Sequence, residues 1–215
     1  RFFLEEDPGA ILIVEFVEDS MDALRAKAQR MEEAFRRKGI GFHFPFITGG
    51  DIQKVWSLRK AGLGVLSRME GDAKPVSVIE DTSVVPSMLE EYIKEFNLLL
   101  EEYDLECVYH AHISVGELHL RPVLDLKDPK DVALFREIAE RSARLVKKFR
   151  GSLSGEHGDG RLRGEFIPLM VGERNFSMMR QIKTAFDPDG VFNAGKIFDS
   201  PPMNSHLRYT PGAET

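Results

Sequence analysis

A chain of 215 residues, 42% hydrophobic and 30% charged, has the make-up of a globular protein with material for one large core. Its net charge of −6 argues against a nucleic-acid groove, which needs clustered positive charge, and no apolar run approaches the ~20 residues of a membrane span. The single cysteine, Cys107, excludes an internal disulfide or a cysteine-built metal cluster within these residues and fits a reducing cytoplasm.

The start, "RFFLEEDPGA", has neither a signal-peptide layout nor an initiator methionine, so a piece of a longer cytoplasmic protein is expected. "AILIVEFV" (10–17) reads as a buried strand rich in β-branched residues. Met21, Leu24, Ala28, Met31 and Phe35 then recur at helical spacing, with Ser20 as cap and Gly39 as stop. "IGFHFPFI" (40–47) alternates like a strand, and Pro45 confines it to an edge or an end. "DIQKVWSLRKAGLGVL" predicts a helix that its glycines loosen, and "PVSVIED" (75–81) another strand.

Pro86 opens a helix with Leu89, Ile93, Phe96, Leu100 and Tyr103 on one stripe. "CVYHAHISV" and "LHLRPVLDL" flank Gly116–Glu117 in a hairpin layout. Asp128–Pro129 caps a helix running through Phe149. A further helix over Glu173–Phe186 is stopped by Asp187–Pro188, and the tail from 200 reads as a linker. The pattern predicts an α+β fold: an antiparallel sheet with helices packed on one face, a ferredoxin-like layout, plus a C-terminal helical segment. The expected division is 1–150 as the sheet domain, 151–199 as a glycine-rich loop with the helical segment, and 200–215 as tail.

Strand alternation puts His110, His112 and Ser114 on one face, and His119 and Arg121 on one face of the returning strand. With Gly116–Glu117 as a two-residue turn, Ser114 lies opposite His119 and His112 opposite Arg121. His112 and His119 become diagonal neighbours able to share a metal with a carboxylate. A plainer reading is that strand histidines are hydrogen-bonded and do nothing more; His110, His43 and His206 are left with it. The stretch "GSLSGEHGDGRLRGEF" (151–166) carries five glycines around Glu156 and His157. It offers a third ligand and a titrating base side by side on backbone that a flat ligand approaches closely, or else a solvated turn.

Together, "VWSLRKAGLG", "IEDTSVVP", "HISVGELHLRPVLDL", "SGEHGDGRLRGEF" and "FDPDGVFNAGKI" resemble the C-terminal cap domain of FAD-linked oxidases of the vanillyl-alcohol-oxidase type. The likeness is nearest to large bacterial D-2-hydroxyacid dehydrogenases, whose flavin part precedes an iron–sulfur region. It implies His112, His119 and Glu156 as ligands of a divalent metal such as zinc, and His157 as catalytic base. Arg59 would pair with the substrate carboxylate, and Asn193 and Lys196 would lie against the flavin domain. The sequence departs from that family in having "SVGE" where relatives carry "GDGN" between the histidines, and Ala194 where they have proline. The lysine of some relatives before the "D-x-S" element is missing too, with Lys74 the candidate to stand in as a substrate contact. The resemblance implies a substrate cap whose FAD is held mainly by a separate N-terminal domain, acting on a D-2-hydroxy acid (lactate, glycolate or 2-hydroxyglutarate) with an unidentified electron acceptor. The iron–sulfur cluster would belong to a downstream region, and the whole protein to the cytoplasm or the inner face of the membrane. Two rival expectations are a non-catalytic ligand-binding or regulatory module and a metal-dependent hydrolase.

Overall fold

The computed structural model describes residues 3–66 and 68–212, the side chains of residues 63, 65 and 66 apart. The chain divides after Leu63 into two compact units. In the first, helix α1 (Met21–Arg37) begins where Ser20 Oγ accepts from the Ala23 N–H at 3.2 Å, carries Asp22 in its first turn and Arg36 and Arg37 in its last. Those charges match the helix dipole at each end. Gly39, at φ 67°, breaks the helix as expected.

The two strands expected over 10–17 and 40–47 are not present: both segments are irregular. The first leaves Ile11 51%, Leu12 52% and Val17 86% exposed. A β-branched run supplies only propensity; a strand forms when a partner closes its ladder, and among the described residues neither segment has one. In the second, Gly41 at φ 75° turns the chain so that Phe44 packs edge-on against Phe35 of α1, centroids 6.2 Å apart. Helix α2 (Asp51–Leu66) runs through both its glycines without a break.

The second unit holds the sheet, built from β1 (Lys74–Pro75), β2 (Ile79–Ser83), β3 (Cys107–His112) and β4 (Glu117–Leu124). All three other strands pair antiparallel with β4, and residues 118–120 of β4 face β2 and β3 at once, making it the middle strand. Helix α3 (Leu89–Glu101) joins β2 to β3, and α4 (Pro129–Lys148) follows β4. A single antiparallel bridge, Ser83 to Ser152, then extends the sheet beyond β2. This is an α+β chain, and the order is that of a β-α-β-β-α-β layout with its last strand shrunk to one bridge.

Alternation along β4 sends Leu118, Leu120 and Leu124 into the core, against Tyr92, Phe96, Leu99 and Leu100 of α3 and Phe135, Ile138, Ala139 and Val146 of α4. The buried α4 residues Val132, Phe135, Ala139, Ser142 and Val146 recur every three or four positions, the stripe of a helix lying on a sheet. Asp128 caps α4, its Oδ1 accepting from the Lys130 N–H at 2.8 Å, and Lys147 and Lys148 close its last turn. Two further helices, α5 (Ile167–Val171) and α6 (Glu173–Phe186), follow; α6 has the bounds the sequence predicts. The tail does not hang free like a linker: Met203 is buried in the core, its N–H donating to Glu165 Oε1 at 3.0 Å. No described helix is long and apolar enough to cross a membrane.

Candidate functional site

The face of β4 turned away from the leucines carries Glu117, His119 and Arg121. Its register with β3 differs from the two-residue turn expected: His110 lies opposite His119 and His112 opposite Glu117. Residues 113–115 form a 3-10 turn closed by Gly116 at φ 75°. Turn length is set by a contact from outside the hairpin. Val84 N–H donates to the Gly116 carbonyl at 3.0 Å, and a Cβ on Gly116 would stand 1.8 Å from the Val84 carbonyl oxygen. The register moves by four residues, an even number, so no side chain changes face. His112 and His119 stay diagonal neighbours, ring centroids 5.4 Å apart. His110 joins them, stacked on His119 at 5.4 Å.

The glycine-rich bend reaches this face because β2 holds it there. Between Glu80 and Thr82 the pairing with β4 slips, and Asp81 takes φ 82°. Such bulges re-aim a side chain. Asp81 is fully buried, and its carboxylate accepts from the Glu156 N–H at 2.8 Å, the His157 N–H at 2.9 Å and the Ser154 hydroxyl. Its backbone oxygen takes the Gly155 N–H at 2.8 Å. Burial alone would raise the Asp81 pKa, but these donors outweigh it and hold the carboxyl down at about 2. Arg163 ties the far side of the bend, donating to the carbonyls of Glu80 and Gly158.

Glu156 Oε1 consequently lies 3.8 Å from His112 Nε2, 3.7 Å from His119 Nε2 and 3.2 Å from His157 Nε2. The first two separations are too long for hydrogen bonds. They approach the edge of about 3.4 Å expected between two ligands on one tetrahedral ion with bonds near 2.1 Å. One donor atom each from His112, His119 and Glu156 lies within 4.8 Å of the others. Two overlapping triads meet the same criterion, Glu80/His119/His157 and Asp81/Glu156/His157. They fit an ion less well, since Asp81 is occupied by N–H donors and Glu80 Oε1 takes Arg121 at 2.6 Å. His119 is held below its usual pKa, chiefly by burial, which favours the neutral imidazole that a metal requires. Burial first, then the Asp81 and Glu156 carboxyls, push Glu117 up to about 7.

His157 has a half-exposed ring stacked on His119 at 5.3 Å, with Nδ1 3.9 Å from both Glu80 Oε1 and Asp81 Oδ1. One hollow therefore gathers His112, His119, Glu156 and His157. Of the other expected site residues, Lys74 lies apart from it. Lys74 pairs with Leu124, five residues along β4 from His119 and so about 17 Å away, and its ammonium donates to the carbonyls of Met69 and Gly71. Lys196 Nζ donates to Asn193 Oδ1 at 3.1 Å on an exposed loop after α6. Arg59 belongs to the first unit, its guanidinium 5.7 Å from the Trp56 ring centre. Sequence reasoning missed Asp81, Glu80 and Glu117. Glu117 was within reach of it, being two residues from His119 and thus on its face; Asp81 was not, since alternation carries no sign of a bulge.

Residues 2–197 match the model of a family described as FAD linked oxidases, C-terminal domain. A D-2-hydroxyglutarate dehydrogenase of Pseudomonas putida is 40% identical over 160 residues, covering 74% of this chain and 16% of that protein. One from Escherichia coli is 35% identical over 181 residues, 84% of this chain and 18% of its own length. A D-lactate dehydrogenase of Archaeoglobus fulgidus is 34% identical over 128 residues, 60% of this chain and 28% of its own. The chain thus spans less than a fifth of the length of the two D-2-hydroxyglutarate dehydrogenases. It belongs to the family of FAD-linked oxidase C-terminal domains.

Proposed function

We propose, from that membership, that this chain is the substrate-binding part of a flavin-dependent dehydrogenase that oxidises a D-2-hydroxy acid to the 2-oxo acid. The observation that carries the reading is the set His112, His119 and Glu156, with His157 3.2 Å from the shared carboxylate. Two imidazoles and a carboxylate suit zinc, manganese or non-haem iron. An ion held there would supply Lewis acidity that lowers the pKa of a hydroxyl group beside it. His157 would take the hydroxyl proton at Nε2, with Glu80 and Asp81 placing negative charge beside the Nδ1 of the ring that gains it. Arg59, by its resemblance to the family's carboxylate-binding arginine, would grip the substrate carboxylate with its planar fork. A flavin bound outside these residues would supply the redox chemistry, and Asn193 and Lys196, by their resemblance to the family's C-terminal element, would lie against the domain that holds it. Identity of 35–40% with D-2-hydroxyglutarate dehydrogenases favours 2-hydroxyglutarate over lactate or glycolate. Lys74, engaged with backbone carbonyls, is given no role in substrate binding.

A panel of D-2-hydroxy acids on the full-length protein, followed by flavin bleaching, tests this. D-2-hydroxyglutarate is expected to bleach the flavin, chelator treatment to stop it, and zinc or manganese to restore it. Bleaching that survives complete metal removal, or no bleaching by any 2-hydroxy acid, contradicts it.

A further inference from the structure

Glu117 is buried beside the donor set with one of its two oxygens unmet. It is 6% exposed, and among the described residues its Oε1 is buried without a hydrogen-bond partner. Burying a carboxyl oxygen with no partner is unfavourable. The oxygen lies 3.9 Å from His119 Nε2, and Glu117 stands opposite His112 in the backbone register of the hairpin. The glycine bend leaves room for it: a Cβ on Gly155 would press on Glu117 Cγ and Cδ at 3.1 Å. Charge argues the same way. A divalent ion on two neutral imidazoles and one carboxylate keeps a net +1 in a partly buried hollow, and a second carboxylate removes it.

We infer that Glu117 supplies a fourth ligand to the ion, making the centre His112/His119/Glu117/Glu156; this rests on the metal reading above. The set is harder than two histidines and one carboxylate, and it suits a five- or six-coordinate ion that keeps positions open for the substrate's hydroxyl and carboxylate oxygens. It also gives physical content to the departure "SVGE" in the turn, which ends on an acid.

The test is a metal titration of the full-length protein against a chromophoric chelator, with zinc for affinity and cobalt for its visible ligand-field spectrum. Glu117→Gln, nearly isosteric, is expected to weaken zinc by about 100-fold or more and to change the cobalt spectrum. Glu117→Asp keeps the charge but retracts the oxygen by one methylene; it too is expected to bind weakly, so either variant suffices if the other fails to fold. Zinc affinity within threefold of wild type and an unchanged cobalt spectrum in either folded variant overturns the assignment. His112→Ala in the same titration separates the two levels. If it abolishes binding while the Glu117 variants do not, only the fourth ligand fails; if it too leaves binding intact, the metal reading falls with it.

Discussion

The two faces of β4 are equally dry and chemically opposite. Glu117 and His119 are 6% and 5% exposed, Leu118 and Leu120 4% and 0%. One face is sealed by the helices α3 and α4, the other by a glycine-rich bend clamped by Asp81. Burial by helices yields dispersion and hydrophobic free energy, and it is satisfied by shape alone. Burial by the bend takes polar groups from water and returns hydrogen bonds to only some of them. His119 Nδ1 and Glu117 Oε1 remain without partners among the described residues. A strand thus stabilised from one side can hold chemistry under strain on the other.

Substitutions on the two faces should separate stability from activity. The largest expected effect is on turnover: His157→Ala in the full-length enzyme should lower kcat about 10²- to 10⁴-fold while leaving the melting temperature near wild type. Leu120→Ala should do the reverse, losing about 2–5 kcal/mol of stability by denaturant unfolding with metal affinity unchanged. Parallel losses in both quantities for both variants would show that the two faces are not independent.

Gly116→Ala should cost about 3 kcal/mol, because the turn demands positive φ and the added methyl meets the Val84 carbonyl. Asp81→Asn replaces an acceptor of two successive N–H groups by an amide that offers one oxygen. It should weaken zinc about 10- to 100-fold, since it orients Glu156 without touching the ion. Zinc affinity equal to wild type would show that the bend keeps its shape without the clamp.

How far these features were readable from the sequence follows from how local their causes are. The starts of α1 and α4 and the end of α6 were legible because Ser20, Asp128–Pro129 and Asp187–Pro188 act within one turn of where they stand. The run 10–17 looked no less convincing, but its strand needed a partner that nothing nearby in sequence supplies. The histidine face survived a wrong register because the error was even. Glu156 and His157 were legible as residue types, while their placement depends on Asp81, 75 and 76 positions away in the chain.

The smallest effect is at the other end of the hairpin. Burial pushes the Cys107 thiol up to about 12, so alkylation of the folded protein at pH 8 should be slow and should accelerate on unfolding. The sign follows from linkage. A folded pKa above the unfolded value means the thiol's contribution is complete below about pH 8.5 and is lost as pH rises toward 12. Rapid labelling of native protein at pH 8 would place Cys107 in water.

An anomalous-scattering map of crystals of the full-length protein, collected across the absorption edge of its bound metal, bears most directly on the hollow beneath the glycine bend. The account predicts one peak about 2.0–2.2 Å from His112 Nε2, His119 Nε2 and a Glu156 carboxylate oxygen. A metal-replete crystal with no peak there, or with its peak on other residues, contradicts it.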